Sequence, residues 1–193
     1  IDMKKIIFLT LIIVFSACHH QQIKNNASPL INGKVKSITE QNYEATLEND
    51  KLKKGNKTMY SEPDILIEFD EKGNITKKTT YNNLDGQTLY TLIYEYDKEN
   101  SLSKLTKYTA TENIDKVYTY SYDKNHLLTE EVTHTALGNI EYIDVFTYQN
   151  QMMSKQETLD ANRNTYCIWE HIYDEKNNKI QTNWYINQTI IQT

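Results

Sequence analysis

Beyond residue 64 apolar and polar positions alternate with a period of two, and the alternation restarts at a fixed interval. Ile65, Ile67 and Phe69 alternate with Leu66 and Glu68, and Leu92, Tyr94 and Tyr96 alternate with Ile93 and Glu95. Tyr118, Tyr120 and Tyr122 follow with Thr119 and Ser121, then Asp144, Phe146 and Tyr148 with Val145 and Thr147. The last run is Trp169, His171 and Tyr173 with Glu170 and Ile172. A period of two places each set on one side of a strand, here an aromatic face and a mixed one. The runs stop at Asp70, Asp97, Asp123, Gln149 and Asp174, at spacings of 27, 26, 26 and 25. A period that regular marks a repeat architecture. The expected fold is all-β: an antiparallel meander of stacked hairpins, about eleven to thirteen strands, in a twisted and curved or partly closed sheet.

The turns carry their own signal. Asp70-Glu71-Lys72-Gly73-Asn74 opens on an Asp, whose carboxylate can accept from the backbone two residues on. The place that calls for a left-handed residue holds Gly73, Asn100, His126, Met152 and Asn177 in successive units. Gln149 and Met152 carry neither signal, so the fourth turn is expected to differ. Looser turns at Asp85-Gly86, Asn113, Gly138-Asn139 and Asn162 to Asn164 return the chain to the next unit. Tyr81, Tyr108 and His134 recur on the second strands and are expected to extend the tyrosine ladders. Ahead of the repeats, residues 30–63 read as one or two strands followed by a charged exposed turn from Glu48 to Thr58, in one domain with the five repeats of 64–193.

The first residues have a different character. Met3-Lys4-Lys5 precedes an apolar run from Ile6 to Phe15, and Ile1-Asp2 reads as an upstream extension. A run of that length is too short to span a bilayer, which takes about 20 helical residues. It fits the apolar core of a secretory signal. Phe15-Ser16-Ala17-Cys18 resembles the lipobox of bacterial lipoproteins. The resemblance implies that residues 1–17 are removed and that Cys18 carries lipid, palmitate included. Phe15 stands where the lipobox usually has Leu. Residues 18–29 then read as a flexible tether, and His19-His20 as part of it. His19 is not the Asp associated with inner-membrane retention, so the resemblance implies an outer-membrane lipoprotein.

The strand ending itself also has a likeness. Tyr94-Glu95-Tyr96-Asp97 and Tyr120-Ser121-Tyr122-Asp123, each followed by a turn and a strand, resemble the YD repeat of the rearrangement-hotspot (RHS) family. They also resemble small Bacteroidetes-type lipoproteins with degenerate versions of that repeat. The likeness covers residues 64–193 and implies stacked antiparallel hairpins. Family members use many more repeats to enclose a toxin, and five units are too few for that.

Charge and chemistry narrow the function. The chain has 21 basic and 26 acidic residues, a net charge of −5, which argues against nucleic acid. No P-loop, GxGxxG, HExxH, CxxC or GxSxG string occurs. His126, His134 and His171 come from different units, and Glu130-Glu131 point to opposite faces of one strand. Cys167, deep in a strand, reads as a small apolar residue. No cofactor, metal or catalytic role is expected. The expected function is non-catalytic: a membrane-anchored envelope protein whose β-repeat surface binds a protein or glycan. An envelope chaperone or carrier with an apolar groove, and an immunity protein against an RHS-like toxin, are the alternatives. The candidate binding surface is Tyr94, Tyr96, Tyr118, Tyr120, Tyr122, Tyr148, Trp169 and His171. The competing reading makes these tyrosines the core.

Overall fold

The computed structural model describes residues 35–59 and 61–186, and the backbone of 189–192. The signal, Cys18 and the tether lie outside the described residues. Fourteen strands form and no helix does, among the described residues. β1 (Ser37–Glu40) is followed by the hairpin β2 (Ala45–Glu48) and β3 (Lys51–Lys54). The repeats supply β4 (Asp64–Phe69), β5 (Ile75–Tyr81), β6 (Thr88–Tyr96), β7 (Leu102–Thr109) and β8 (Ile114–Tyr122). They continue with β9 (Leu128–Thr135), β10 (Ile140–Gln149), β11 (Met152–Leu159), β12 (Thr165–Tyr173), β13 (Lys179–Ile186) and β14 (Thr189–Gln192). Twelve strands make one sheet in the order β1, then β4 through β14, with every neighbour antiparallel. β1 and β14 are its two unjoined edges, so the meander is open and partial closure is not realised.

Three kinds of bond recur at the same places in the repeats, and the second and third units carry all three. At the tight turn, the Asp carboxylate accepts from the backbone four residues on: Asn74 to Asp70, Ser101 to Asp97 and Leu127 to Asp123, at 2.8, 2.8 and 2.9 Å. Asp174 accepts from Asn178 in the same way. Gly73, Asn100, His126 and Asn177 take the positive φ that lets this turn close, and outside glycine such φ values favour Asn and His. The tyrosine before the Asp makes the second bond. Tyr96 donates its hydroxyl to the Ile75 carbonyl, Tyr122 to Leu102 and Tyr173 to Met153, at 2.9, 2.9 and 2.8 Å. Each reaches back to the preceding hairpin, and Phe69, in the first hairpin, has none behind it to reach. The third bond comes from an extra residue bulged into the second strand. Thr76, Ser103, Thr129 and Ser154 sit there, and each donates its hydroxyl to a carbonyl of the facing strand. The Tyr-Asp pair therefore has two jobs: the tyrosine ties hairpin to hairpin and the aspartate caps the turn.

Bulges also change which residues share a face. Tyr108 lies opposite Thr91 and Ile114, and His134 opposite Val117, all on the mixed side. Tyr81, opposite Asp64 and Thr88, is on that side too. These three do not extend the tyrosine ladders. The fourth tight turn differs as its sequence implies: Asn150 and Gln151 both take positive φ in a two-residue turn, and Met152 already belongs to β11. A similar turn, Asn49-Asp50, joins β2 to β3, so Glu48 to Thr58 is largely a hairpin rather than one long turn.

Asp97→Ala is expected to cost on the order of 1 kcal/mol through loss of its turn bond. Asp123→Ala should lower the melting temperature in the same direction, and Gln149→Ala should barely move it. Equal shifts in all three would show that the carboxylates do not set the turns.

The sheet is a single layer. Every strand of the sheet packs only beside its hydrogen-bonded neighbours, and nothing covers either face among the described residues. Among the described residues only Leu128, Ile143, Phe146, Leu159 and Cys167 are buried apolar side chains, spread over both sides of the central and later strands. Small polar residues such as Thr79, Thr106 and Thr133 are buried beneath longer neighbours. On the aromatic side lysine stems stand among apolar rungs: Ile67, Lys78, Leu92, Lys107 and Lys116 run in register across β4 to β8.

Candidate interaction face

The residues read as a binding surface do share one side of the sheet. Tyr94 and Tyr96 stand on β6, Tyr118, Tyr120 and Tyr122 on β8, Tyr148 on β10, and Trp169 and His171 on β12. Leu105 lies between Tyr94 and Tyr118 in register, so the ladder alternates aromatic and aliphatic rungs. All eight residues are half-buried, in the terminal unit as in the central ones. They are neither a closed core nor a free-standing ladder. Burial pushes the Tyr94 and Tyr122 hydroxyls up to about 12 and pushes Tyr120 up as well, with the negative charge of Glu131 adding to the effect on Tyr120. Trp169 stacks on Trp184 of β13, ring centroids 6.1 Å apart and planes 5° from parallel. The His171 Nδ1 and the Thr182 hydroxyl are 3.1 Å apart.

One polar row crosses this aromatic side. Tyr120, Glu131, Asp144, Thr158 and Cys167 lie directly opposite one another on β8 through β12. Two carboxylates thus face each other across one strand gap, an arrangement that destabilises a sheet when both are charged. Asp144 accepts from Gln156 Nε2 at 3.2 Å and from the Thr158 hydroxyl. Among the described residues no donor reaches Glu131. Burial, and then the charge of Asp144, push the Glu131 carboxyl up to about 7. The sequence places Glu130 and Glu131 on opposite faces, as found, but Asp144, 13 residues on, becomes visible as a partner only through the strand register. Cys167, 4% exposed, has its thiol pushed up by burial, which makes it a poor nucleophile.

The other side is ionic and aliphatic. Lys104 bridges Glu95 at 2.8 Å, Lys77 bridges Glu68 at 3.6 Å, and Arg163 reaches Glu130 at 3.0 Å. His134 lies 3.3 Å from the Thr119 hydroxyl on that side, away from His171. No group of three or more His, Cys, Asp or Glu is arranged to hold a metal among the described residues.

No protein-family model and no curated protein matches the chain. Among solved structures, a porin-like protein from Bacteroides uniformis aligns at 10% identity and a TM-score of 0.43, over 69% of this chain and 54% of that one. The Photorhabdus luminescens Tc holotoxin pore aligns at 12% identity and a TM-score of 0.31, over 82% of this chain and 9% of that one. A TcdB2–TccC3 structure gives 11% identity and a TM-score of 0.31 over the same shares. The chain thus spans about half the length of the first of these and under a tenth of the toxin chains, with an all-β antiparallel meander as its own architecture.

Proposed function

We propose that the chain is a lipid-anchored cell-envelope protein that presents a non-catalytic β-repeat sheet to a protein or glycan partner. The observation that carries this reading is the aromatic side itself, a row of half-buried tyrosines and tryptophans that no second layer covers among the described residues. Tyrosine offers wide, rigid contact area with a polar rim, which suits both partner classes. Lipid anchoring rests on the Lys-Lys, apolar-run and Ser16-Ala17-Cys18 string, and placement at the outer membrane on His19 standing where inner-membrane retention is associated with Asp.

Two measurements test the two halves of the proposal. Labelled palmitate should enter the wild type and not Cys18→Ser, and equal labelling of both would remove the anchor. Three acyl chains, the number the lipoprotein resemblance implies, would hold the protein firmly where a single chain binds only marginally. For the surface, a benzophenone side chain replacing Tyr148 should crosslink a partner in intact cells, whereas one at the neighbouring exposed Thr147 should not. Crosslinks of equal yield from both positions would show that the aromatic side is not the contact.

A further inference from the structure

The two ends of the sheet are chemically unlike. One end carries the Asp turns; the other carries the returns from β5 to β6, β7 to β8, β9 to β10 and β11 to β12. The β2–β3 hairpin also leaves from this second end, because Glu40 at the end of β1 pairs with Ile65 near the start of β4. Its base is fastened there by the Asn83 amide, which donates to the Thr58 and Ser61 carbonyls, and by the Lys57–Asp64 ion pair. Of the twelve exposed large apolar side chains among the described residues, all except Ile172 and Ile180 lie at this second end or on the hairpin that leaves from it. Leu137 at the β9–β10 turn is 88% exposed and Leu52 on the hairpin 78%.

We propose that this end is a bilayer-contacting edge, with aliphatic turn tips that enter the lipid surface. The inference leans on the proposed anchoring only in needing a membrane nearby. Three features favour lipid over a protein. The tips stand on separate turns of alternate hairpins, so they make a row of points rather than the contiguous patch a protein interface needs. Tyr142 and Tyr166, with ring centroids 6.5 Å apart, stand near the starts of β10 and β12 at this same end, and tyrosine is enriched at membrane interfaces. At the same end of the strands Lys107 pairs with Asp115 at 2.6 Å and Lys116 with Glu141 at 2.7 Å, so these charges face lipid as ion pairs rather than singly. The tether allows the approach. Residues 19–34 separate Cys18 from the described chain, and 16 residues reach roughly 55 Å when extended. The strands are about 30 Å long, so the chain can enter at the Asp-turn end while the opposite end meets the bilayer. With a net charge of −5 and Asp85, Glu112 and Asp160 among the turns, the contact is apolar rather than electrostatic and should not weaken with salt.

The test uses the full chain carrying Cys18→Ser, so that no acyl chain contributes, with phosphatidylcholine–phosphatidylethanolamine vesicles whose acyl chains are brominated. A tryptophan is placed at a tip by Leu137→Trp or Leu84→Trp and, in a separate protein, at the opposite end by Ile180→Trp. Bromine quenches only at close range, so the emission added at either tip should fall about twofold, equally in low and high salt. The emission added by Ile180→Trp should not fall. Equal quenching at both ends, or none at the tips, overturns the proposal. So does a protein that self-associates with unquenched tips and is dispersed by Leu137→Asp, because the row would then be a protein contact. None of these outcomes depends on lipidation, which the palmitate label reports separately.

Discussion

Raising the pH from 5 to 8 is expected to destabilise the sheet, by up to roughly 3 kcal/mol, through one residue. Glu131 has its carboxyl pushed up to about 7 by burial and by Asp144 opposite, against an ordinary value of 4.5. A raised carboxyl pKa means that the folded state holds the proton more tightly than the unfolded chain. The stabilisation is therefore complete below about pH 4.5 and is lost as pH rises through 7, each tenfold gain in proton affinity being worth about 1.4 kcal/mol. The groups facing Glu131 are Tyr118, Tyr120 and Tyr122 from β8 and Tyr142 and Asp144 from β10, none of them a cation. The turn aspartates act in the opposite sense. The Leu127 amide holds Asp123 down, and the Asn164 and Asn178 side chains do the same for Asp160 and Asp174. Their contribution is present at neutral pH and disappears in acid, so stability should peak between the two windows. Glu131→Gln keeps the shape and removes the titration, so its melting temperature should be flat from pH 5 to 8 and above wild type at pH 8. Glu130→Gln, on the ionic side with Arg163, should keep the wild-type slope. A wild type as stable at pH 8 as at pH 5 would contradict the buried-acid account.

What could be read from the sequence was what repeats locally. The Tyr-Asp endings, the left-handed turn positions and the odd fourth turn each depend on residues within a few places of one another. They reappear in the structure where the period puts them. The bulge residues had a signal as well, a Ser or Thr six places past Asp70, Asp97 and Asp123, but a hydroxyl in a polar strand gives no sign that it is an inserted residue. Missing it reverses the face of Tyr81, Tyr108 and His134, because one extra residue flips every side chain beyond it. β3 was hidden by its composition, since Lys51-Leu52-Lys53-Lys54 has little strand propensity and gains its conformation from the Asn49-Asp50 turn. The Glu131–Asp144 pair was beyond reach for another reason: cross-strand contacts follow from register, and register is set by turns and bulges together. The gathering of exposed apolar tips at one end was equally hidden, because Leu84, Leu137 and Tyr166 look like isolated residues until the meander lines up their turns.

Ile143→Ala is expected to do more than lower stability. Ile143 is 1% exposed, the one large side chain among the described residues that is essentially sealed, and it lies in register between Val132 and Leu159 on the mixed side. Truncating a buried isoleucine costs about 2–5 kcal/mol through lost transfer energy and the cavity left behind. A domain of this size holds about 5–15 kcal/mol in all. In a two-layer protein that loss would be shared through the core and would move a single transition downward. Here each strand is supported only by its two neighbours, so the sheet behaves as a line of coupled units rather than one body. A defect at β10 uncouples β4–β9 from β11–β14, and the variant should melt in two stages, with amide protons of β12 and β13 exchanging before those of β6 to β8. Leu137→Ala, at an 88% exposed tip one turn away, should stay within about 0.5 kcal/mol of wild type and melt in one step. A single sharp transition for Ile143→Ala, with uniform loss of exchange protection from β4 to β13, would show that coupling runs across the whole sheet, and the nearest-neighbour account would have to be abandoned.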